Sequence, residues 1–357
     1  MENLGMSASL QSYYRDKKVF VTGHTGFKGS WLTATLNKLG ATVKGYALAP
    51  LYAGGLFELI TARIDCENVE ADIRDLARLQ SELLSFQPDY IFHLAAQPLV
   101  RESYEFPIET FQTNIIGTAN LLQAARTLRQ PCAIVVITTD KVYENQERDV
   151  LYQEHDKLGG HDPYSASKAC AEIVTHSFAR SFHDDDHPRK IATARAGNVI
   201  GGGDWSKDRI MPDIIRALEQ HKMIEVRHPG AVRPWQHVLE PVGGYLRLAG
   251  LLATNAPGIS SAYNFGPEPG DHLTVRDFVE SSIACWGGGE WKDVSGGKQR
   301  HEAGMLKLDI RKAAAELNWR PLLNAAQAIR WAVEWYKAPE AKRADIAFTQ
   351  IADYFGL

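Results

Sequence analysis

The chain has 357 residues, 45% of them hydrophobic and 23% charged, with a formal net charge of −4. Its length exceeds an ordinary single domain, so one large domain and a smaller one are expected. The acidic balance excludes a general nucleic-acid binder. The longest plainly apolar run, residues 133–137, is far too short to span a bilayer, and no basic-then-apolar leader opens the chain.

The first predicted element is a buried strand over residues 17–22, Lys17-Lys18-Val19-Phe20-Val21-Thr22. Gly23-His24-Thr25-Gly26-Phe27-Lys28-Gly29 follows, and then an amphipathic helix over about 30–39. Strand, glycine turn and helix is the setting in which such glycine spacing acquires meaning. The glycines permit a tight turn, let backbone approach a pyrophosphate and let helix and strand pack closely. Further strands are predicted at 41–46, 67–72, 89–96 and 133–138, with helices over 75–86 and 107–129 between them. Short apolar strands alternating with helices predict a parallel doubly wound sheet. Ligands on such sheets sit beyond the carboxyl ends of the strands, where Gly23, Asp72, Ala95 and Thr139 fall.

At the fifth strand's end stands Thr138-Thr139-Asp140-Lys141-Val142-Tyr143. By itself this reads as an ordinary strand-end turn. Some twenty residues on comes Asp162-Pro163-Tyr164-Ser165-Ala166-Ser167-Lys168. Pro163 suits a helix's first turn and Asp162 its N-cap. The four-residue spacing then places the Tyr164 phenol and the Lys168 ammonium on one face. A phenol ionises near ~10, and an adjacent cation favours the phenolate. The pair can take a proton from an alcohol or return one to a carbonyl.

Beyond it, Gly201-Gly202-Gly203, Pro229 and Pro234 mark loops, and helical periodicity returns at 210–221, 241–253, 274–286, 310–317 and 323–336. His183-Asp184-Asp185-Asp186-His187 reads as a solvated loop rather than a metal site, and no metal is expected. Cys66, Cys132, Cys170 and Cys285 lack Cys-x-x-Cys spacing, which suits reduced thiols in the cytoplasm.

From about Lys17 to Tyr336 the chain resembles the extended short-chain dehydrogenase/reductase family, and within it the nucleotide-sugar 4,6-dehydratases. The glycine turn through Ser30-Trp31, Thr139 to Tyr143, Gly197-Asn198-Val199-Ile200-Gly201-Gly202-Gly203-Asp204-Trp205 and Arg233-Pro234-Trp235-Gln236-His237-Val238 carry the resemblance. It implies an α/β fold, a Rossmann-type doubly wound parallel sheet with a smaller C-terminal α/β substrate-binding domain. Residues 1–16 are then an N-terminal extension, 17–198 mainly the dinucleotide-binding domain, 199–340 mainly the nucleotide-sugar domain, and 341–357 a C-terminal tail. The chain is free to cross between the two domains. The cofactor implied is NAD, met by Gly23, Thr25, Gly26, Phe27, Lys28, Gly29, Asp72, Ile73, Leu94, Ala95, Ala96, Thr138, Tyr164 and Lys168. Gln97, Asn198, Arg233 and Arg300 or His301 are implied to hold the nucleotide sugar. The second strand runs into Gly45-Tyr46-Ala47-Leu48, with neither an acid for a ribose hydroxyl nor an arginine for a 2′-phosphate, which leaves NADP open.

The resemblance also implies an internal redox dehydration. Tyr164 and Lys168 serve oxidation at C4, Thr139 binds the C4 oxygen, and Asp140 is the acid at the C6 hydroxyl. The commoner dehydratase pattern has glutamate after the aspartate as the C5 base; here Lys141 stands there. A lysine is a base only when neutral, and bringing an ammonium from about 10.4 to about 7 corresponds to roughly 4–5 kcal/mol. A 4-epimerase would share the glycine turn and Tyr164/Lys168 but needs no acid–base pair at C5 and C6. A non-catalytic NAD(P)-binding scaffold needs none of these residues together. By family resemblance the helices near 107–129 and 163–183 pair subunits as a homodimer or a dimer of dimers.

Overall fold

The computed structural model describes residues 9–182, 189–295 and 306–357. Seven strands form one sheet: β1 (Lys18–Thr22), β2 (Thr42–Ala47), β3 (Cys66–Glu70), β4 (Tyr90–His93), β5 (Cys132–Ile137), β6 (Arg189–Ala196) and β7 (Ala262–Phe265). Their order is β7-β6-β5-β4-β1-β2-β3, and every neighbouring pair is parallel. Parallel neighbours need crossovers. These are made by α1 (Phe27–Lys38), α2 (Leu76–Phe86), α3, α4 (Pro163–Ser181) and α6 (Leu239–Ala253). Helix α3 is a run of Pro107–Phe111, a π turn at Gln112–Ile116, and Gly117–Ala125.

Alternation along the strands divides the core. Val19 and Val21 face one layer with Trp31, Leu36 and the later helices, whereas Phe20 faces the other with Leu79, Leu83 and Leu121. The first layer also contains α5 (Ile210–Glu219), α7 (Val275–Trp286), α8 (Ala325–Lys337) and α9 (Glu340–Phe355). Both ends of the described chain, from residue 9 and to residue 357, join it. Leu10 and Tyr14, in the expected extension, are buried, and the Tyr14 hydroxyl donates to the Leu246 carbonyl at 2.7 Å. The segment after residue 340 is a packed helix that buries Ala347, Ile351 and Phe355.

Caps sit where the sequence places them, or close by. Asp162 accepts from the Ser165 amide at 2.9 Å and Pro163 opens α4. Helix α2 is capped by Asp75, which accepts from the Arg78 amide at 3.0 Å.

Glu240 on α6 ties the last helices down. Its fully buried carboxylate accepts from the Leu323 amide at 2.7 Å, from the Leu322 amide, and from the Tyr354 hydroxyl at 2.6 Å. Burial outweighs these bonds and pushes its pKa from 4.5 up to about 7. The folded chain therefore holds a proton that the unfolded chain releases across that window. The stabilising contribution is complete below the unfolded value and is lost as pH rises through the folded one. The loss amounts to at most about 3 kcal/mol. Glu240→Gln removes the titration, so its melting temperature should gain on that of the unmodified protein between acidic and mildly alkaline buffer. Parallel melting curves would refute the assignment.

Candidate active site

The glycine turn leaves the carboxyl end of β1. Gly23 has φ of +74°, and a Cβ there would lie 2.7 Å from the Ala95 amide nitrogen. A Cβ on Gly29 would lie 2.0 Å from the Gly23 carbonyl oxygen. Only glycine lets α1 start this close to the strand. The α1 N-terminus thus faces the sheet edge with its amides free for anionic oxygens. Ala95, after β4, donates to the Thr22 hydroxyl at 3.2 Å and walls the same crevice. The cradle fits a dinucleotide. Thr25 spends its hydroxyl on the Leu48 carbonyl at 2.9 Å.

The acid missing from the end of β2 is not replaced by Asp72, whose carboxylate is forked by Arg74 Nε at 3.0 and 2.9 Å and held low by that guanidinium. His24 packs against β2: its Nε2 lies 2.8 Å from Asn68 Oδ1, and a Cβ on Gly45 would strike its ring at 2.3 Å. Burial lowers the His24 pKa to about 4, so the ring is neutral. Gly45, a glycine inside a strand, was the sequence signal for this close approach.

At the end of β5, Thr139 starts a short turn, Asp140–Val142. The Thr139 hydroxyl donates to Asp140 Oδ1 at 2.8 Å, and Lys141 Nζ lies 3.4 Å from the same oxygen. Asp140 is 1% exposed. Tyr164 and Lys168 are also buried, and Lys168 Nζ donates to the Ile137 carbonyl at 3.1 Å. Thr139, Asp140, Lys141 and Tyr164 line one cavity of about 800 Å³ with Lys28, Asn198, Arg209, Arg233 and Trp235.

Burial dominates the electrostatics. It pushes the Tyr164 phenol up to about 12, while Arg209 and the Thr139 hydroxyl pull it back and Asp140 pushes it further. Burial likewise draws Lys168 down to about 8, against the pull of Glu172. The activation expected from the neighbouring ammonium is outweighed here by desolvation. Lys28, expected at the cofactor, lines the cavity with Tyr164. Burial, and then Arg209, lower it to about 7.

Not every expected residue converges. Gln97 lies outside the cavity lining; its amide donates to the Thr110 hydroxyl at 2.9 Å and its oxygen accepts from the Leu99 amide at 2.5 Å. The Thr138 hydroxyl donates inward to Glu172 at 2.5 Å. Ile73 is buried, and a Cβ on Gly117 would lie 2.7 Å from its side chain. Arg300, His301 and the loop from His183 to His187 lie outside the described residues. Sequence reasoning missed Arg209. It occupies the N-cap of α5, with Nη1 3.6 Å from Asp204 Oδ2, and a basic residue between the glycine loop and a helix was its only signal.

The profile of the GDP-mannose 4,6 dehydratase family matches residues 20–331. The chain belongs to that family. It is 45% identical over 332 residues to a CDP-glucose 4,6-dehydratase of Salmonella typhimurium, covering 92% of each chain. A UDP-glucose 4-epimerase of Mycoplasma pneumoniae is 23% identical, over 85% of this chain and 92% of the relative. Among solved structures, a dTDP-glucose 4,6-dehydratase of Streptomyces venezuelae with NAD bound superposes with a TM-score of 0.76. It is 24% identical, covering 92% of this chain and 99% of that one. Dehydratases and an epimerase are both among these relatives, so the frame alone does not choose the reaction.

The raised phenol can be tested without substrate. The tyrosinate difference absorbance between the cofactor-free protein and Tyr164→Phe should be absent up to about pH 10, where a free phenol is half ionised. Ionisation of Tyr164 near neutrality in that state would contradict the dominance of burial.

Proposed function

We propose that this chain is an NAD-dependent CDP-glucose 4,6-dehydratase, a cytosolic hydro-lyase that makes CDP-4-dehydro-6-deoxy-D-glucose for deoxysugar biosynthesis. The observation that carries the reading is the buried contact of Asp140 with Thr139 and Lys141 in the same cavity as Tyr164. An epimerase moving hydride at C4 needs Tyr164 and Lys168 but no acid–base pair beside them. The 45% identical relative is itself a CDP-glucose 4,6-dehydratase, which supports the cytidine assignment.

NAD, held at the glycine turn from Gly23 to Gly29, would supply the hydride acceptor for C4 and, once reduced, the hydride donor for C6, so none would be consumed. The residues do the proton work. Tyr164 takes the C4 hydroxyl proton, and the positive charge of Lys168 favours the phenolate. The Thr139 hydroxyl steadies the C4 oxygen. The 4-ketone acidifies the C5 hydrogen; Lys141 removes it, and Asp140 protonates the departing C6 hydroxyl, which leaves as water. Before this step a proton must cross within the pair against the ordinary order of their acidities, roughly 9 kcal/mol uphill for unperturbed groups. Passing a proton from Lys141 Nζ to Asp140, across their 3.4 Å contact, makes a neutral amine base and a neutral acid together. Asn198, Arg209 and Arg233 line the cavity where the diphosphate would lie, and arginine's planar fork suits phosphate oxygens. Arg300 and His301 belong to the same proposed group.

The protein assembles at least as a homodimer. Ile108 and Ile116 on α3 and Ile173 on α4 are 67%, 53% and 58% exposed, although both helices also bury residues against the sheet. Helices apolar on two faces bury both, and a twofold dimer is the commonest solution. Light scattering at micromolar concentration should give at least twice the chain mass. A monomer would exclude the assembly.

Incubation with CDP-glucose and NAD should yield a 4-keto product, read by its absorbance in alkali. Tyr164→Phe should lose ~10²–10⁴-fold in rate with its fold intact. Lys141→Met should let reduced cofactor form in a single turnover and persist, without C5 exchange in deuterated water. Full C5 exchange in that variant would remove Lys141 as the base and leave the dehydratase reading standing.

A further inference from the structure

Beneath the cavity lies a buried ion pair that the proposed chemistry does not use. Glu172 and Arg195 are both almost inaccessible. Arg195 Nε and Nη2 each donate to the Glu172 carboxylate at 2.9 Å, in a two-pronged fork. The Thr138 and Thr193 hydroxyls complete the carboxylate at 2.5 and 2.7 Å. The third arm of the guanidinium, Nη1, donates to the Tyr143 hydroxyl at 2.8 Å and to the Glu154 carbonyl at 3.0 Å. Tyr143 in turn donates to Asn264 Oδ1, on β7, at 2.7 Å.

The addresses of these partners matter. Thr138 immediately precedes Thr139, and Tyr143 lies two residues beyond Lys141. The turn that carries Thr139, Asp140 and Lys141 is thus gripped at both ends. Glu172 sits one helical turn beyond Lys168, on the α4 face that carries Tyr164 and Lys168. It is the charge that draws the Lys168 pKa back up. One ion pair therefore holds both catalytic arms, the redox arm on α4 and the acid–base arm after β5. A fold needing only stability would do as well with apolar side chains, because buried ion pairs add little net stability over well-packed hydrophobics.

We infer that the Glu172–Arg195 pair, acting through the Tyr143 hydroxyl, is a positioning device that registers Asp140 and Lys141 against Tyr164 and Lys168, coupling water loss to C4 oxidation. The inference rests on the dehydratase reading above. Glu172 and Arg195 touch no reacting atom; they act through the turn they hold. Elimination needs Lys141 and Asp140 at two adjacent carbons of a sugar whose C4 is already fixed at Tyr164, so a small displacement of the turn falls on elimination first.

Tyr143→Phe tests this. It removes one hydroxyl and keeps the ring, which stacks on Tyr152 at 5.1 Å. With CDP-glucose and NAD, single-turnover formation of reduced cofactor should stay within about twofold of the unmodified protein. C5 exchange and 4-keto product formation should fall by about 10- to 100-fold. Reduced cofactor should consequently accumulate, and KM should hold. Equal losses in both half-reactions, or no loss in either, would overturn the positioning role. Should this variant fail to fold by circular dichroism, Thr138→Val, which frees the other end of the turn, must show the same split, and its absence overturns the claim. The unmodified protein is assayed alongside. If it forms no 4-keto product the dehydratase reading falls, and the coupling with it; if it does and the variant shows no split, only the coupling falls.

Discussion

Parallel strands cannot be joined by tight turns, and that constraint organises this molecule. Each strand must be followed by a crossover, so the carboxyl ends of all seven collect on one edge. The glycine turn leaves β1 there, Ala95 leaves β4, and Thr139 to Lys141 leave β5. Helix α4 starts at the same level because Asp162 and Pro163 fix its first turn. Residues more than a hundred positions apart thus meet at one cavity without any element being bent to bring them.

The later part of the chain closes the edge through hydrogen bonds to a glycine-rich loop. Trp31 Nε1, on α1, donates to the Gly202 carbonyl at 2.9 Å, and the Tyr336 hydroxyl donates to the Gly201 carbonyl at 3.1 Å. Trp205 Nε1 reaches back to the Gly54 carbonyl at 3.0 Å. A Cβ on Gly202 would stand 2.1 Å from the Trp335 ring, so glycine stands there because that ring presses on it. Several residues that carried the family resemblance therefore serve closure rather than chemistry. Asn198, Arg209 and Arg233 line the same cavity as Tyr164.

The layered fold was legible because its signals are local. Runs such as Ile134-Val135-Val136 make buried strands, and Asp162-Pro163 starts a helix whatever surrounds it. Tyr164 with Lys168 was legible because i, i+4 spacing fixes their common face. The rest depended on distant partners. Whether Thr138 turns to the cofactor or inward depends on Glu172 and Arg195, and nothing near Thr138 reveals which. Gln97 sits beside the cavity in sequence, yet Thr110 and the Leu99 amide claim its side chain. The phenol's acidity was misjudged for a similar reason. Spacing gives the neighbouring cation, while burial of the whole edge, which no short motif encodes, decides the sign.

In the proposed mechanism, lysine at position 141 also changes the charge of the reacting pair. An aspartate–glutamate pair cannot hold two negative charges at close range, so it carries one proton and a net charge of −1. Aspartate with lysine, once a proton has crossed between them, is neutral in both members. The acid and the base are then the same in number, with one unit less negative charge. The cavity lining also carries Lys28, Arg209 and Arg233. Burial, and then Arg209, already lower the Lys28 ammonium, and in that mechanism these cations would favour the enolate left by C5 deprotonation and the diphosphate. In the proposed mechanism the exchange of glutamate for lysine keeps an acid and a base side by side, because a proton passed across the contact with Asp140 would supply both forms.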